Sequence, residues 1–354
     1  MNPLFQNDRQ GELPNSWYAA TADIPAPRAA LDGEVSVDVA ILGAGYTGLT
    51  CAWELAQKGL SVAVVDAHRV GFGASGRNGG QAGSGFNMDQ RELERSLGEG
   101  PARMLWDLSM DAKAMVRDFC DTHAPEARFT PGVAHGAWSR RDFNDLRAYA
   151  DHLAQHYGFE EEVYEGDAFR DIVQTPVYQG GTLDRDAGHI HPLRYVLALA
   201  RAAEAAGAVI YERSTVVKLA PGALHTEQGT LRAKDVVIAG NGYMPALHTG
   251  YAARVCPINS FIAATEPLPD PSAVLSQDVA VADDRFVVNY FRLSEDGRLL
   301  FGGRENYGIG LPKDITPRLR DRMLQIFPQL ADARIDYVWG GTLGITMTRV
   351  PLVT

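Results

Sequence analysis

Gly43, Gly45 and Gly48 stand in a GxGxxG spacing where the apolar run 36–42 ends and a helical pattern through Ala52, Leu55 and Ala56 begins. Each glycine has a separate physical task. Gly43 permits a tight turn, Gly45 lets backbone approach a pyrophosphate, and Gly48 lets helix and strand pack closely. The unpaired N–H groups of the helix start offer an anion site. Gly59 stops the helix as a C-cap, and a second apolar run, 60–66, closes on Asp66. An acid about 20 residues beyond the glycines accepts hydrogen bonds from an adenosine ribose and disfavours a 2'-phosphate. A lone GxGxxG is weak evidence, but a complete strand–turn–helix–strand unit reads as a dinucleotide site. The unit alone does not choose between FAD and NAD.

Residues 71–81 read Gly-Phe-Gly-Ala-Ser-Gly-Arg-Asn-Gly-Gly-Gln. That block is too rich in glycine for a packed helix, so its backbone is expected to lie against something flat or anionic. Arg77 has the reach for a phosphate, and Ser75 or Asn78 can satisfy flavin or pyrophosphate oxygens. Without a ligand the same block reads as a surface loop. His189 and His191 form an HxH pair, which on a strand puts both rings on one face. Three readings stand for them: structural histidines at a domain junction, groups near substrate or flavin, or metal ligands, for which no third ligand is evident. Tyr290 and Arg292 share one face of an expected strand. There the planar fork of Arg292 suits a substrate carboxylate, against the plainer reading of a solvated arginine beside a sheet tyrosine. Tyr337 and Trp339 read as packing residues at a domain boundary. No spacing calls for a Ser-His-Asp arrangement.

The elements that must position these residues alternate along the chain. An arm over 1–33, spaced by Pro14, Pro25 and Pro27, precedes the first strand. Residues 89–123 turn helical, with Met104, Leu105, Leu108, Ala112, Met115, Val116 and Phe119 on the face expected to be core. A strand over 129–138 and a helix over 142–157 follow. Pro192 opens an alanine-rich helix to Ala206, and strands are expected at 209–211 and 236–239. Residues 260–265, 286–292 and 299–303 alternate as strands of an antiparallel sheet.

The 354 residues suffice for two domains. A net charge of -11 argues against nucleic acid as a partner, and no apolar run reaches the length of a membrane helix. Three scattered cysteines, Cys51, Cys120 and Cys256, offer neither a disulfide framework nor a CxxC site, which fits a reducing cytoplasm. Cys51 is expected to be a buried small apolar residue.

The sequence resembles the D-amino-acid-oxidase-like (DAO) flavoproteins over essentially its whole length. The resemblance is carried by 16–21 (Ser-Trp-Tyr-Ala-Ala-Thr), 43–49, 70–81, 188–192 (Gly-His-Ile-His-Pro), 237–241, 298–303 and 348–351. The blocks at 70–81 and 188–192 are the narrower ones and point to a polyamine-oxidising branch. The resemblance implies an α/β FAD-binding Rossmann-like domain of glutathione-reductase type. That domain is discontinuous, over 34–84, 189–248 and 337–354. An α+β substrate domain on an antiparallel sheet occupies 85–188 and 249–336. It implies FAD, held by Gly43, Gly45, Tyr46, Thr47, Gly48, Asp66 and Ala67 at its ADP half. Ser75, Gly76, Arg77, Asn78, Gly79, Gly80 and Gln81 would lie along the pyrophosphate and isoalloxazine. Val216 would lie at the adenine, with Ala239 and Gly240 flanking the cofactor. The implied reaction is oxidation of an amine C–N bond, with gamma-glutamylputrescine as the expected substrate. An aldehyde, ammonia and hydrogen peroxide, or another reduced acceptor, would be the products. Other small amines or amino acids, and a non-catalytic flavin- or partner-binding role, are the alternatives. Members of the family continue past the position of Thr354 with a glycine-rich segment and a helix, so this chain reads as shortened.

Overall fold

The structure, a computed structural model, describes residues 9–308, 312 and 314–352. Its first sheet runs in the order β7 (Val209–Tyr211), β2 (Val62–Val65), β1 (Gly33–Leu42), β10 (Gly229–Ile238), β9 (Ala223–Thr226), β8 (Val216–Ala220). The strands β7, β2, β1 and β10 are parallel, and the β8–β9–β10 edge is antiparallel. Every residue of β2 is buried, as expected of a parallel strand covered on both faces. Helix α2 (Tyr46–Gln57) crosses from β1 to β2, and α7 (Pro192–Ala205) packs beside it. Pro192 occupies the first turn of α7, where its missing N–H costs nothing. The alanines of α7 permit close approach, and Val196, Ala200 and Ala203 are fully buried there.

The second sheet has nine strands. Eight follow the order β15 (Ile335–Thr346), β11 (Val255–Thr265), β14 (Leu299–Asn306), β13 (Tyr290–Leu293), β12 (Ala280–Asp283), β4 (Thr130–Ala137), β6 (Gly180–His189), β3 (Gln81–Ala82), and β5 (Glu162–Glu165) pairs with β6. Apart from the parallel pair β4–β12, it is antiparallel. A separate core lies on this sheet around Phe291, Phe301 and Phe327. The remaining helices are α3 (Gln90–Leu97), α4 (Glu99–His123), α5 (Arg140–Tyr157), α6 (Asp167–Arg170), α8 (Thr249–Ala252) and α9 (Thr316–Ile326). They join α1 (Trp17–Thr21), which lies in the N-terminal arm.

Four expectations change. The helical stretch 89–123 is two helices, because Gly98 stands at φ +88 between them. The buried face of α4 is Ala102, Trp106, Ser109, Lys113, Phe119 and Cys120, whereas Met104 is 72 % and Leu108 57 % exposed. A charged residue takes the inner face because Asp186 and the Ser84 hydroxyl receive the Lys113 ammonium. The arm, expected to be extended, contains a short helix: Ser16 caps α1, whose Trp17 and Tyr18 are buried in the main core. Finally, residues 337–346 belong to the second sheet, since β15 pairs with β11 along its length. Cys51 is half-buried and packs at the edge of the main core. Among the described residues, no helix is long and apolar enough to cross a membrane.

Candidate functional site: a glycine cradle and an anchored turn

The β1–α2 turn is shaped by contacts that exclude any side chain. Gly43 has φ +107, and a Cβ there would stand 2.6 Å from the Ala239 carbonyl oxygen. A Cβ on Gly48 would stand 1.9 Å from the Gly43 oxygen, and one on Gly45 2.8 Å from Ser75 Oγ. Gly45 is the N-cap of α2 and contributes no side-chain cap. The helix start therefore keeps backbone donors available to an external anion, where the helix dipole favours negative charge. Ser75 Oγ accepts from the Tyr46 N–H at 3.0 Å, which ties the 71–81 block to this turn. Gly240 follows β10 beside the cradle, and a Cβ on it would meet the Met244 sulfur at 2.4 Å. Val216 opens β8, buried on the antiparallel edge of the same sheet.

Asp66 ends the β2 segment with its carboxylate turned into the turn. Its Oδ2 accepts from the Ala44 N–H and its Oδ1 from the His68 N–H, each at 2.8 Å. Burial pushes the carboxyl up to about 6, against those two amide bonds. Gln10 Nε2 donates to the Ala67 carbonyl at 3.3 Å, laying the arm along this segment. A narrow cradle of glycines, a helix start whose N-cap residue brings no side chain, and an inward acid fit the ADP half of a dinucleotide.

The 71–81 block is not a free loop. Asn78 Nδ2 donates to the Ala74 and Ser75 carbonyls and to Tyr46 Oη, and its Oδ1 accepts from Gly80 N–H. Arg77 is bonded within the protein. Its Nε donates to Phe72 O at 2.5 Å and its Nη1 to Gly340 O at 2.8 Å, with the guanidinium over the Phe72 ring. This buried arginine joins the block to β15. Gly76 and Gly80 pass so close to Gly71 O and Ile190 O that a Cβ would stand 2.2 Å away in each case. Gln81 enters β3, and its Nε2 donates to Val281 O at 2.9 Å.

The two histidines line one small cavity, with separate partners. His191 caps α7: its Nδ1 accepts from Arg194 N–H at 3.2 Å, and Nε2 meets Thr21 Oγ1 at 3.0 Å. Burial, then the Arg194 and Arg292 charges, hold its pKa far below the usual histidine value. His189 ends β6, 3.4 Å from Asp278, with its pKa lowered mainly by burial. Among the described residues no group of three or more His, Cys, Asp or Glu is placed to hold a metal. Tyr290 and Arg292 do share a face of β13, but that face meets the 71–81 block. The Tyr290 ring lies where a Gly79 Cβ would be, and its hydroxyl stands 3.3 Å from Ser260 Oγ. Arg292 is buried, and its guanidinium donates to the Gly79, Ile190 and Leu293 carbonyls and to Tyr18 Oη. With its fork occupied by internal acceptors, it is not the open carboxylate clamp expected from sequence.

Sequence reasoning passed over Tyr18, whose hydroxyl donates to Asn78 O at 2.8 Å, and the anchoring role of Trp339, whose Nε1 donates to Arg77 O at 2.9 Å. It also passed over Glu212, fully buried between Arg69 and Arg28. The signal for Tyr18 lay in the 16–21 block, which carried the resemblance without a physical role. Glu212 had no local signal, because its partners are far away in sequence.

The comparisons agree with this geometry. The family model described as DAO, FAD dependent oxidoreductase, matches residues 38–354. The chain is 42% identical over 349 residues to a "Probable oxidoreductase OrdL" of Rhizobium meliloti (strain 1021), covering 95% of this chain and 80% of that protein. It is 33% identical over 346 residues to gamma-glutamylputrescine oxidoreductase of Escherichia coli (strain K12), covering 96% of this chain and 81% of that protein. The expected nearness to the latter thus gives way to greater likeness to the former. Its fold matches glycine oxidase from Geobacillus kaustophilus with a TM-score of 0.73, at 21% identity, over 89% of this chain and 85% of that one. L-amino acid deaminase from Proteus vulgaris matches with a TM-score of 0.72, also at 21% identity, over 96% and 86% of the two chains. The discontinuous Rossmann-like fold and its added sheet domain are those of these flavoproteins. The chain is therefore a member of the FAD-dependent oxidoreductase (DAO) family, an enzyme of the amine and amino-acid oxidase kind.

Proposed function

We propose that this flavoenzyme oxidises the C–N bond of gamma-glutamylputrescine, with residues 75–81 lining the flavin. The observation that carries the substrate is the 33% identity to the Escherichia coli gamma-glutamylputrescine oxidoreductase over 96% of this chain. FAD, held by these residues, would supply the acceptor for a hydride equivalent from the carbon beside nitrogen. Hydrolysis of the resulting imine then gives an aldehyde and ammonia, while the electrons pass on to oxygen, forming hydrogen peroxide, or to another acceptor. The protein's own share is binding and placement. The glycine cradle would hold the ADP half, Asp66 would lie at the ribose, and the anchored turn would support the flavin end beside the second sheet. Burial lowers the pKa of both His189 and His191, and His191 is engaged by the Arg194 N–H and by Thr21. Arg292 is engaged internally, so recognition of the glutamyl carboxylate belongs to other residues of the second sheet.

The test is an anaerobic visible spectrum of the purified protein before and after gamma-glutamylputrescine. Bleaching of the flavin band is the expected outcome. Bleaching by a small amino acid or N-methyl amine instead would reassign the substrate. A flavin that no amine reduces would leave a binding role.

A further inference from the structure

Four successive carbonyls of the turn 77–80 are held from the protein side. Trp339 Nε1 bonds Arg77 O, Tyr18 Oη bonds Asn78 O, Arg292 Nε bonds Gly79 O, and the Ile190 N–H bonds Gly80 O at 2.8 Å. These anchors come from β15, α1, β13 and the β6–α7 link, elements far apart in sequence. One of them carries a charge. Arg292 is 5 % exposed, and each acceptor its guanidinium reaches is neutral: three carbonyls and a tyrosine hydroxyl. Among the described residues no carboxylate pairs with it within salt-bridge distance. The neighbouring rings of His189 and His191 are neutral through burial, and Arg194 faces Glu295 at 2.6 Å. Asp278, about half exposed, is the acid whose field reaches Arg292. A buried cation balanced by dipoles and one distant acid is unusual, because an isolated charge is costly in a protein interior. Where such a charge persists, its field extends to whatever lies on the other side of the groups it bonds.

We propose that Arg292, set with Tyr18 and Trp339 behind the 77–80 turn, is a positioning residue whose buried charge raises the reduction potential of the bound flavin. Two-electron reduction adds negative charge to the isoalloxazine, and a nearby fixed cation in a low-dielectric setting stabilises that form. The proposal rests on the placement of residues 75–81 along the flavin, and it is independent of which amine is oxidised.

The experiment measures the flavin potential of the holoenzyme against a reference dye, without substrate. Arg292→Gln, which keeps donors and removes the charge, is expected to shift the oxidised-to-reduced equilibrium about tenfold toward oxidised, about 30 mV lower. Arg292→Lys is expected to stay near the unchanged protein. Asp278→Asn, at a half-exposed position suited to a stable fold, is expected to shift the equilibrium about twofold the other way, and it serves if Arg292→Gln does not hold flavin. Equal potentials in Arg292→Gln and Arg292→Lys, or no rise in Asp278→Asn, would overturn the electrostatic role. Gly79→Ala separates the two ideas. If its Cβ, driven into the Tyr290 ring, leaves the flavin absorption bands unmoved, the placement of the turn fails rather than the role of Arg292 alone.

Discussion

Asp66 is held in the β1–α2 turn at a cost to the fold. Both carboxylate oxygens accept backbone N–H groups, yet burial still raises the acid to about 6. The folded state therefore binds this proton more tightly than the unfolded chain, whose aspartate titrates near 4. Its contribution to stability is present below about pH 4 and is lost as pH rises to about 6. In flavin-stripped protein, the stability of Asp66→Asn relative to the parent is expected to rise across that interval and level off above it. Denaturant titrations at pH 4, 5, 6 and 7 measure this, and a flat difference would refute the assignment. At this scale the tight turn at Gly43 and the close helix–strand packing at Gly48 were legible from sequence, because each answers a backbone requirement fixed by its immediate neighbours. Arg77 and Arg292 were not. Sequence shows that an arginine has reach, but its partners, Gly340 O for one and Gly79 O for the other, lie hundreds of residues away.

Among the elements, the first part of α4 is where the periodic reading chose the wrong side, while Phe119 near its end is core as expected. The methionines and leucines of 104–115 suggested a core face, whereas the structure buries the face of Trp106 and Lys113. Helical period gives the faces, but which one turns inward depends on what α4 packs against. Here Trp106 meets Tyr157 and Phe159, and Asp186 receives the Lys113 ammonium. Leu108→Ser is expected to change unfolding free energy by less than about 0.5 kcal/mol. Trp106→Ala is expected to cost about 3–5 kcal/mol, because it empties a packed site. Chemical denaturation of the two variants distinguishes the faces, and a larger loss for Leu108→Ser would restore the sequence reading. The strand pattern fared better, since period-two alternation is read locally. Residues 260–265 and 299–303 both fall inside strands, and 286–292 shortens to β13.

Across the whole molecule the N-terminal arm is fastened to the nucleotide domain by Glu212. That carboxylate is fully buried at the end of β7. It accepts from the Arg28 and Val70 N–H groups and pairs with Arg69 Nε at 2.8 Å and Arg28 Nη1 at 3.4 Å. Glu212→Ala leaves Arg69 buried with its partner removed, so a loss of about 3–5 kcal/mol is expected. Limited proteolysis of this variant is expected to open the arm between Pro14 and Pro27 before the domains, and an arm as resistant as the parent's would show that other contacts hold it. The sequence by itself determined the βαβ dinucleotide unit, the FAD-type family and the division between a parallel and an antiparallel sheet. The unit and the strand alternation follow from backbone geometry and hydrophobic period over a few neighbouring residues, whereas the family came from a resemblance carried by blocks spread along the whole chain. Only the tertiary structure decided that β15 joins the second sheet, that α1 is core, and that Tyr18, Arg292 and Trp339 secure one turn. A buried hydrogen bond or ion pair is satisfied by whichever group the fold brings within about 3 Å, and no local pattern encodes a partner so distant along the chain.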